Sequence, residues 1–217
     1  MRTPIWLLPF ACVLALAGCS SSPGPESAPP PPAPASAPVP TSVVSGAPDT
    51  TGSIPGSPNA MYVFRFKQTD PASDRFTYRD RDLSFYFRPS PSALYFKVEN
   101  LQGRPVWINW DRTTFTDVNG RVSKAAHTTS TWRDRYNSQA NVSVQGLQTY
   151  SDYLFPMDYL VDPGAQTGTQ PHLPIVPEDA SAPTYSGRSF SVEFEMLIED
   201  RPRTYAFTFT IASVIPR

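Results

Sequence analysis

Residues 189–211 read SFSVEFEMLIEDRPRTYAFTFTI. Phe190, Val192, Phe194, Met196 and Ile198 occupy every second position, against Ser191, Glu193 and Glu195. After EDRPR (199–203) the alternation resumes, with Tyr205, Phe207, Phe209 and Ile211 opposite Thr204, Ala206, Thr208 and Thr210. A period of two sends successive side chains to opposite faces of an extended chain. Each run therefore predicts a strand with one face on a core and the other in water. The pair reads as an antiparallel hairpin with Pro202 in its turn.

The same period recurs upstream. Leu83, Phe85 and Phe87 alternate in LSFYFR (83–88), and Leu94, Phe96 and Val98 in ALYFKVEN (93–100). In PVWINW (105–110), Val106, Ile108 and Trp110 share one side and Trp107 faces the other. Turns punctuate these runs: NLQGRP at 100–105, and DVNGR at 117–121, whose Asn-Gly is a strong hairpin signal. No segment sustains a 3.6-residue period. The expected fold is all-β, a single immunoglobulin-like antiparallel β-sandwich of about seven to nine strands. A closed small barrel is the alternative. One stretch breaks the pattern: VDPGAQTGTQPHLPIVPEDASAPTYSG (161–187) is proline-rich and reads as an excursion at one end or edge.

This domain spans 59–217, and what precedes it differs in composition. Ile5–Gly18 is an apolar run behind Arg2, too short for a comfortable span but suited to a secretory signal. It ends Leu16-Ala17-Gly18-Cys19, which resembles a bacterial lipobox. The resemblance implies that residues 1–18 are removed and that Cys19 is lipidated and becomes the first residue. Each buried CH₂ contributes roughly 0.8 kcal/mol, so two or three acyl chains anchor durably. Ser20 after the cysteine resembles the pattern sent to the outer membrane, so the expected location is the cell envelope, facing the periplasm. Cys12 and Cys19 are the only cysteines, so no internal disulfide is expected and stability rests on the core.

Residues 19–58 form a tether after the lipidated cysteine. From Ser20 it holds 12 of the chain's 26 prolines and no aromatic residue. Such a composition buries too little apolar surface to order itself. It would span about 35 Å as a coil and approach roughly 120 Å as polyproline II, enough to hold a domain clear of a membrane.

Chemistry-bearing motifs are sparse. His127 and His172 are the only histidines, and neither has a ligand at metal spacing, so no metal and no cofactor are expected. There is no Gly-x-Ser-x-Gly, and carboxylate pairs such as Asp152 with Asp158 or Glu178 with Asp179 have no spacing that sets two carboxyls across a cleft. The expectation is not an enzyme. The formal charge is −1, and −2 once Arg2 is lost. The clusters RDRD (79–82) and WRDRY (132–136) mix signs, so nucleic acid is not an expected partner. Trp, Tyr and Arg are the usual anchors of binding surfaces. Trp107, Trp132, Tyr136 and Tyr153 are the candidate binding surface.

The stretch VENLQGRPVWINWDRTTFTDVNGRVSKAAH (98–127), with SVQGLQTYSDYLFPMDYL (143–160), resembles a pattern in poorly characterised bacterial lipoproteins. There an Asn-ended strand leads through a turn to Ile-x-Trp-Asp, a Phe, Asp-x-x-Gly and a downstream His. A Pro-Gly turn and Phe-Pro-x-Asp follow; here that turn is Gln145-Gly146, without the proline. The resemblance implies a lipid-anchored envelope domain and nothing catalytic. Trp110, Asp111 and His127 are its motif positions, with structural roles expected: Asp111 bonding a turn, His127 a satisfied histidine. The expected function is a binding or scaffolding module, an accessory subunit of an envelope assembly. A cell-wall or carbohydrate binder using exposed aromatics is the alternative.

Overall fold

The computed structural model describes residues 61–166 and 168–217. The signal segment, the lipobox with Cys19 and the tether lie outside the described residues.

The described chain is all-β and antiparallel. Its strands are β1 (Tyr62–Asp70), β2 (Ala72–Ser73), β3 (Thr77–Arg79), β4 (Leu83–Pro89), β5 (Leu94–Asn100), β6 (Val106–Thr116), β7 (Val122–His127), β8 (Val142–Val144), β9 (Thr149–Pro156), β10 (Ser189–Ile198) and β11 (Arg201–Pro216). They pair in one path, β2-β1-β11-β10-β6-β7-β9-β5-β4-β3, with β8 beside it on β6. That is eleven strands, more than the seven to nine expected. The extra ones are mostly two- and three-residue strands without room for a legible alternation.

The path curls nearly into a barrel. Its end strands, β2 and β3, are separated by three residues, which bounds their distance at about 14 Å. β7 carries the path round: Val122–Lys124 pair with β6, and Ala125–His127 pair with β9. Inside, β4 and β11 meet across the interior, with Phe87 and Phe207 ring centroids 4.6 Å apart and Phe85 and Phe207 5.0 Å apart. Every inward residue named from β4, β5, β10 and β11 is buried. The excursion packs over one end, where Ile175 and Val176 are buried and their N–H groups bond Ser92 and Pro91 carbonyls.

Pro202 is not in the β10–β11 turn. Glu199 and Asp200 make that turn alone, both left-handed (φ 52° and 61°), and Pro202 sits in β11 opposite Leu197. Proline is tolerated there because β1 covers β11 only from Thr208 onward, so the missing N–H faces no strand. At the other turn pair, Gly146 admits no side chain: a Cβ would meet the Gly103 carbonyl at 2.5 Å. Asn100, fully buried, clamps the two turns together, its amide donating to the Arg104 and Val144 carbonyls at 2.6 and 3.0 Å.

Candidate functional site

β6 is the strand on which the site is built. Its burial alternates on even positions from Val106 to Trp110 and on odd positions from Thr113. The phase changes at a bulge: Glu193 faces Thr114 whereas Glu195 faces Asn109. Thr113 Oγ1 donates to the Asn109 carbonyl at 2.8 Å and closes it. Bulges re-aim side chains and interrupt pairing. Here the interruption leaves a gap on the other edge too, between β8 on Val106–Ile108 and β7 on Thr114–Thr116.

The segment between β7 and β8, residues 128–141, straps over that gap. Gln139 takes the place of a strand residue: its N–H donates to Asp111 at 3.0 Å, and its side-chain amide to the Ala125 carbonyl at 3.2 Å. The Asp111 carboxylate also accepts from Lys124 Nζ at 2.8 Å and from the Ser138 hydroxyl. These bonds, the Lys124 ammonium first, hold Asp111 at a pKa of about 2. Asp111 thus ties the strap down.

The strap's first turn is fixed from below by Asp152 of β9. Its carboxylate accepts from Tyr150 OH at 2.6 Å, from the Tyr153 N–H at 2.7 Å and from the Thr128 hydroxyl and N–H. His127 Nδ1 lies 3.3 Å from it, and the imidazole stacks on Trp110 with centroids 4.3 Å apart. Burial alone would raise the Asp152 pKa; the hydrogen bonds more than offset it and hold the carboxyl well below its usual range. Burial, then the adjacent carboxylate, pushes the Tyr150 phenol up. Trp110 is fully buried and its Nε1 has no acceptor among the described residues.

Two hollows flank the strap and share Arg135 and Met157. One, of about 230 Å³, is bordered by His127, Thr131, Ser138 and Val142. The other, of about 560 Å³, is bordered by Arg121, Lys124, Trp132, Tyr136 and Asp158. The Arg135 guanidinium lies 3.4 Å from the Trp132 ring centroid and 4.3 Å from that of Tyr136, so one cation links the two rings. Tyr136 is 84% exposed.

The structure thus brings Trp110, Asp111, His127, Trp132 and Tyr136 to one place. Trp107 and Tyr153 lie elsewhere. Trp107 is exposed on the outer face of β6, opposite Ser143 and Leu197. Tyr153 joins Tyr95 and Tyr86 in an outer ladder with centroids 5.3 and 6.5 Å apart. Sequence reading missed Arg135, Lys124 and Gln139. Only the Trp132–Tyr136 spacing around Arg135 carried any signal for them.

Chemically the site offers a His127–Asp152 pair beside a hollow. The Thr129 hydroxyl shares His127 Nδ1, and Ser130 gives its hydroxyl to Gln139. His172 stacks on Phe155 instead, at 3.9 Å. Among the described residues no group of three His, Cys, Asp or Glu side chains could hold a metal ion. Comparison with family models, with curated proteins and with solved structures finds no match to this chain.

The ties to Asp111 give a pH prediction. A carboxylate held at about 2 in the fold, against 3.8 in the unfolded chain, contributes stability that is complete above about pH 4.5 and disappears as pH falls through that window. Asp82, buried beneath Arg81, Arg203 and Gln102, is held at about 2 as well. Urea midpoints should be flat from about pH 7 to 4.5. They should then fall, with these two groups contributing about 2 kcal/mol together after discounting for solvent screening. A profile flat to about pH 2 contradicts the assignment.

Proposed function

We propose that the chain is a lipid-anchored lipoprotein of the bacterial cell envelope, related to the lipoproteins its motifs resemble. Its β domain is a non-catalytic module that binds another envelope protein. In this reading Cys19 carries the acyl chains, the outer membrane holds them, and the tether lets the domain search the periplasm for its partner. The finer architectural reading, a sandwich of immunoglobulin type, belongs to the same proposal. Its support is contact between opposed strands: the Phe96 and Phe194 rings are tilted with centroids 5.0 Å apart, and the Phe87 and Phe209 rings meet edge to face at 5.1 Å.

The observation that carries the binding function is the Trp132–Arg135–Tyr136 stack beside the larger hollow. These are the residue types that dominate binding energy at protein interfaces, and the strap holds them in place. A sugar ring needs an open aromatic face. Arg135 covers Trp132, and the outer tyrosine ladder has interplanar angles of 61° and 68°, which give no flat platform. The protein partner is therefore favoured over the glycan.

In-cell crosslinking of the full chain with mass spectrometry tests this, with Cys19→Ala and Arg135→Glu alongside. One or two dominant protein partners are expected, at least tenfold depleted in Arg135→Glu and lost in Cys19→Ala. Undiminished crosslinks in Arg135→Glu would reject the site. Retained glycan fragments without a protein partner would reject the partner class. A Cys19→Ala chain that stays in membranes after salt washing would reject the anchor.

A further inference from the structure

The barrel is not closed, and the opening has a definite shape. β1 pairs with β11 along one edge, but on its other edge β2 covers only Gln68 and Thr69. On the far side β3 covers β4 from Ser84 to Tyr86, and the Phe76 carbonyl accepts the Phe87 N–H at 2.8 Å. Beyond that point the second edge of Val63–Lys67, whose first edge pairs with β11, faces no strand among the described residues, and neither does the second edge of Arg88 and Pro89, whose first edge pairs with β5. A groove of about 490 Å³ lies between them, bordered by Arg65, Phe66, Phe76, Phe87 and Arg88.

Its floor is apolar and partly uncovered. Phe64, Phe66 and Phe76 pack on the core but remain only partly buried, whereas Phe87, Phe190 and Phe209 are fully buried. Phe76 reaches this position with φ at 56°, in a region that non-glycine residues adopt at a cost. Its ring stacks on Phe209 with centroids 6.5 Å apart. Strain of this kind persists where the surroundings enforce it and gathers at ligand-binding places. Gln68, at the end of the open stretch, is buried with no donor on its Oε1 among the described residues.

The rim is cationic. Arg65, Lys67 and Arg88 are exposed, and none has a carboxylate partner among the described residues. Arg88 lies over the Tyr95 ring at 5.1 Å. An open strand edge above an apolar floor is a template for an added strand. The cations decide which strand. In a β1-to-β1 pair centred on Arg65, two copies of this chain would set Arg65 against Arg65, and like charges directly opposite are destabilising.

We propose that the open edge of β1 accepts a strand from a partner protein, an extended segment of about five residues alternating apolar and acidic side chains. The apolar side chains cover Phe66, Phe76 and Phe87. The acidic ones face Arg65, Lys67 and Arg88. This surface is separate from the Trp132–Arg135–Tyr136 stack, and its failure would leave that reading standing.

The test uses the full chain in detergent micelles and fluorescein-labelled hexapeptides of alternating Val and Glu, or Val and Lys, read by anisotropy. The Glu peptide should bind at least tenfold tighter than the Lys peptide, and Arg65→Glu with Arg88→Glu should invert that order. N-methylating alternate amides of the Glu peptide in one of its two registers should weaken binding at least tenfold, because one edge of the peptide pairs with β1. Equal binding of both peptides, no binding of either, indifference to N-methylation in both registers, or self-association through β1 would each overturn the proposal.

Discussion

Phe207→Ala is expected to lower the unfolding free energy by about 3–5 kcal/mol, the range for removing a large aromatic from a packed core. Phe207 is 1% exposed. It stands where β11 meets β4 and β3 across the interior, with ring centroids 4.6 Å from Phe87, 5.0 Å from Phe85 and 5.5 Å from Tyr78. These neighbours are held by their own ladders and cannot collapse into the space, so the cavity penalty adds to the lost transfer energy. Domains of this size have only about 5–15 kcal/mol in total, and residues 61–217 contain no cysteine to form a disulfide. Urea denaturation reads the loss directly. Phe207→Leu, which keeps most of the volume, should cost about half as much. A loss under about 1 kcal/mol for the alanine variant would mean that the two halves of the sheet do not bear on each other here.

The residues of this core were legible because a strand's period is local. Phe190 to Ile198 and Tyr205 to Ile211 announce their inward faces with no knowledge of what lies opposite. The order of the strands was not legible. It depends on β7 leaving β6 for β9 halfway along its length, and nothing in VSKAAH marks that transfer. β2 and β3 escaped notice because two or three residues cannot show an alternation. Pro202 misled because proline is common in turns, while Glu199, which makes the turn with Asp200, is an uncommon left-handed residue.

The site shows the same division. Trp110, Asp111 and His127 stood out as a motif, but the reason they belong together is the β6 bulge, a phase slip visible only once Glu193 and Glu195 are seen against β6. Gln139 was invisible because its role is to imitate a strand residue for a gap that the sequence does not reveal. Trp107 and Tyr153, which belong with Trp132 and Tyr136 to the candidate binding surface, are exposed. Exposure follows from period two, whereas clustering depends on strand order, so they lie apart from Trp132 and Tyr136.

Asp152→Asn is expected to cost about 2–4 kcal/mol at neutral pH. The carboxylate accepts from Tyr150, Thr128 and the Tyr153 N–H, with His127 Nδ1 at 3.3 Å. An amide presents one oxygen where two were used and turns its NH₂ toward groups that are themselves donors, leaving buried donors unpaired. The penalty should depend on pH in one direction. Asp152 is held below the unfolded value of 3.8, so its contribution is complete above about pH 4.5 and shrinks as pH falls, while the asparagine variant has no such contribution to lose. The stabilities of the two proteins should therefore draw steadily closer as pH falls below about 4.5. The loss should also be local: amide exchange in residues 128–141 should quicken more than in β10 or β11, because Thr128 is the strap's first residue and Asp152 its fastening. A uniform increase would make Asp152 an ordinary core determinant. Unchanged stability and exchange would show that the carboxylate is not what fastens the strap, and Arg135 and its two rings would then be held from the Asp111 side alone.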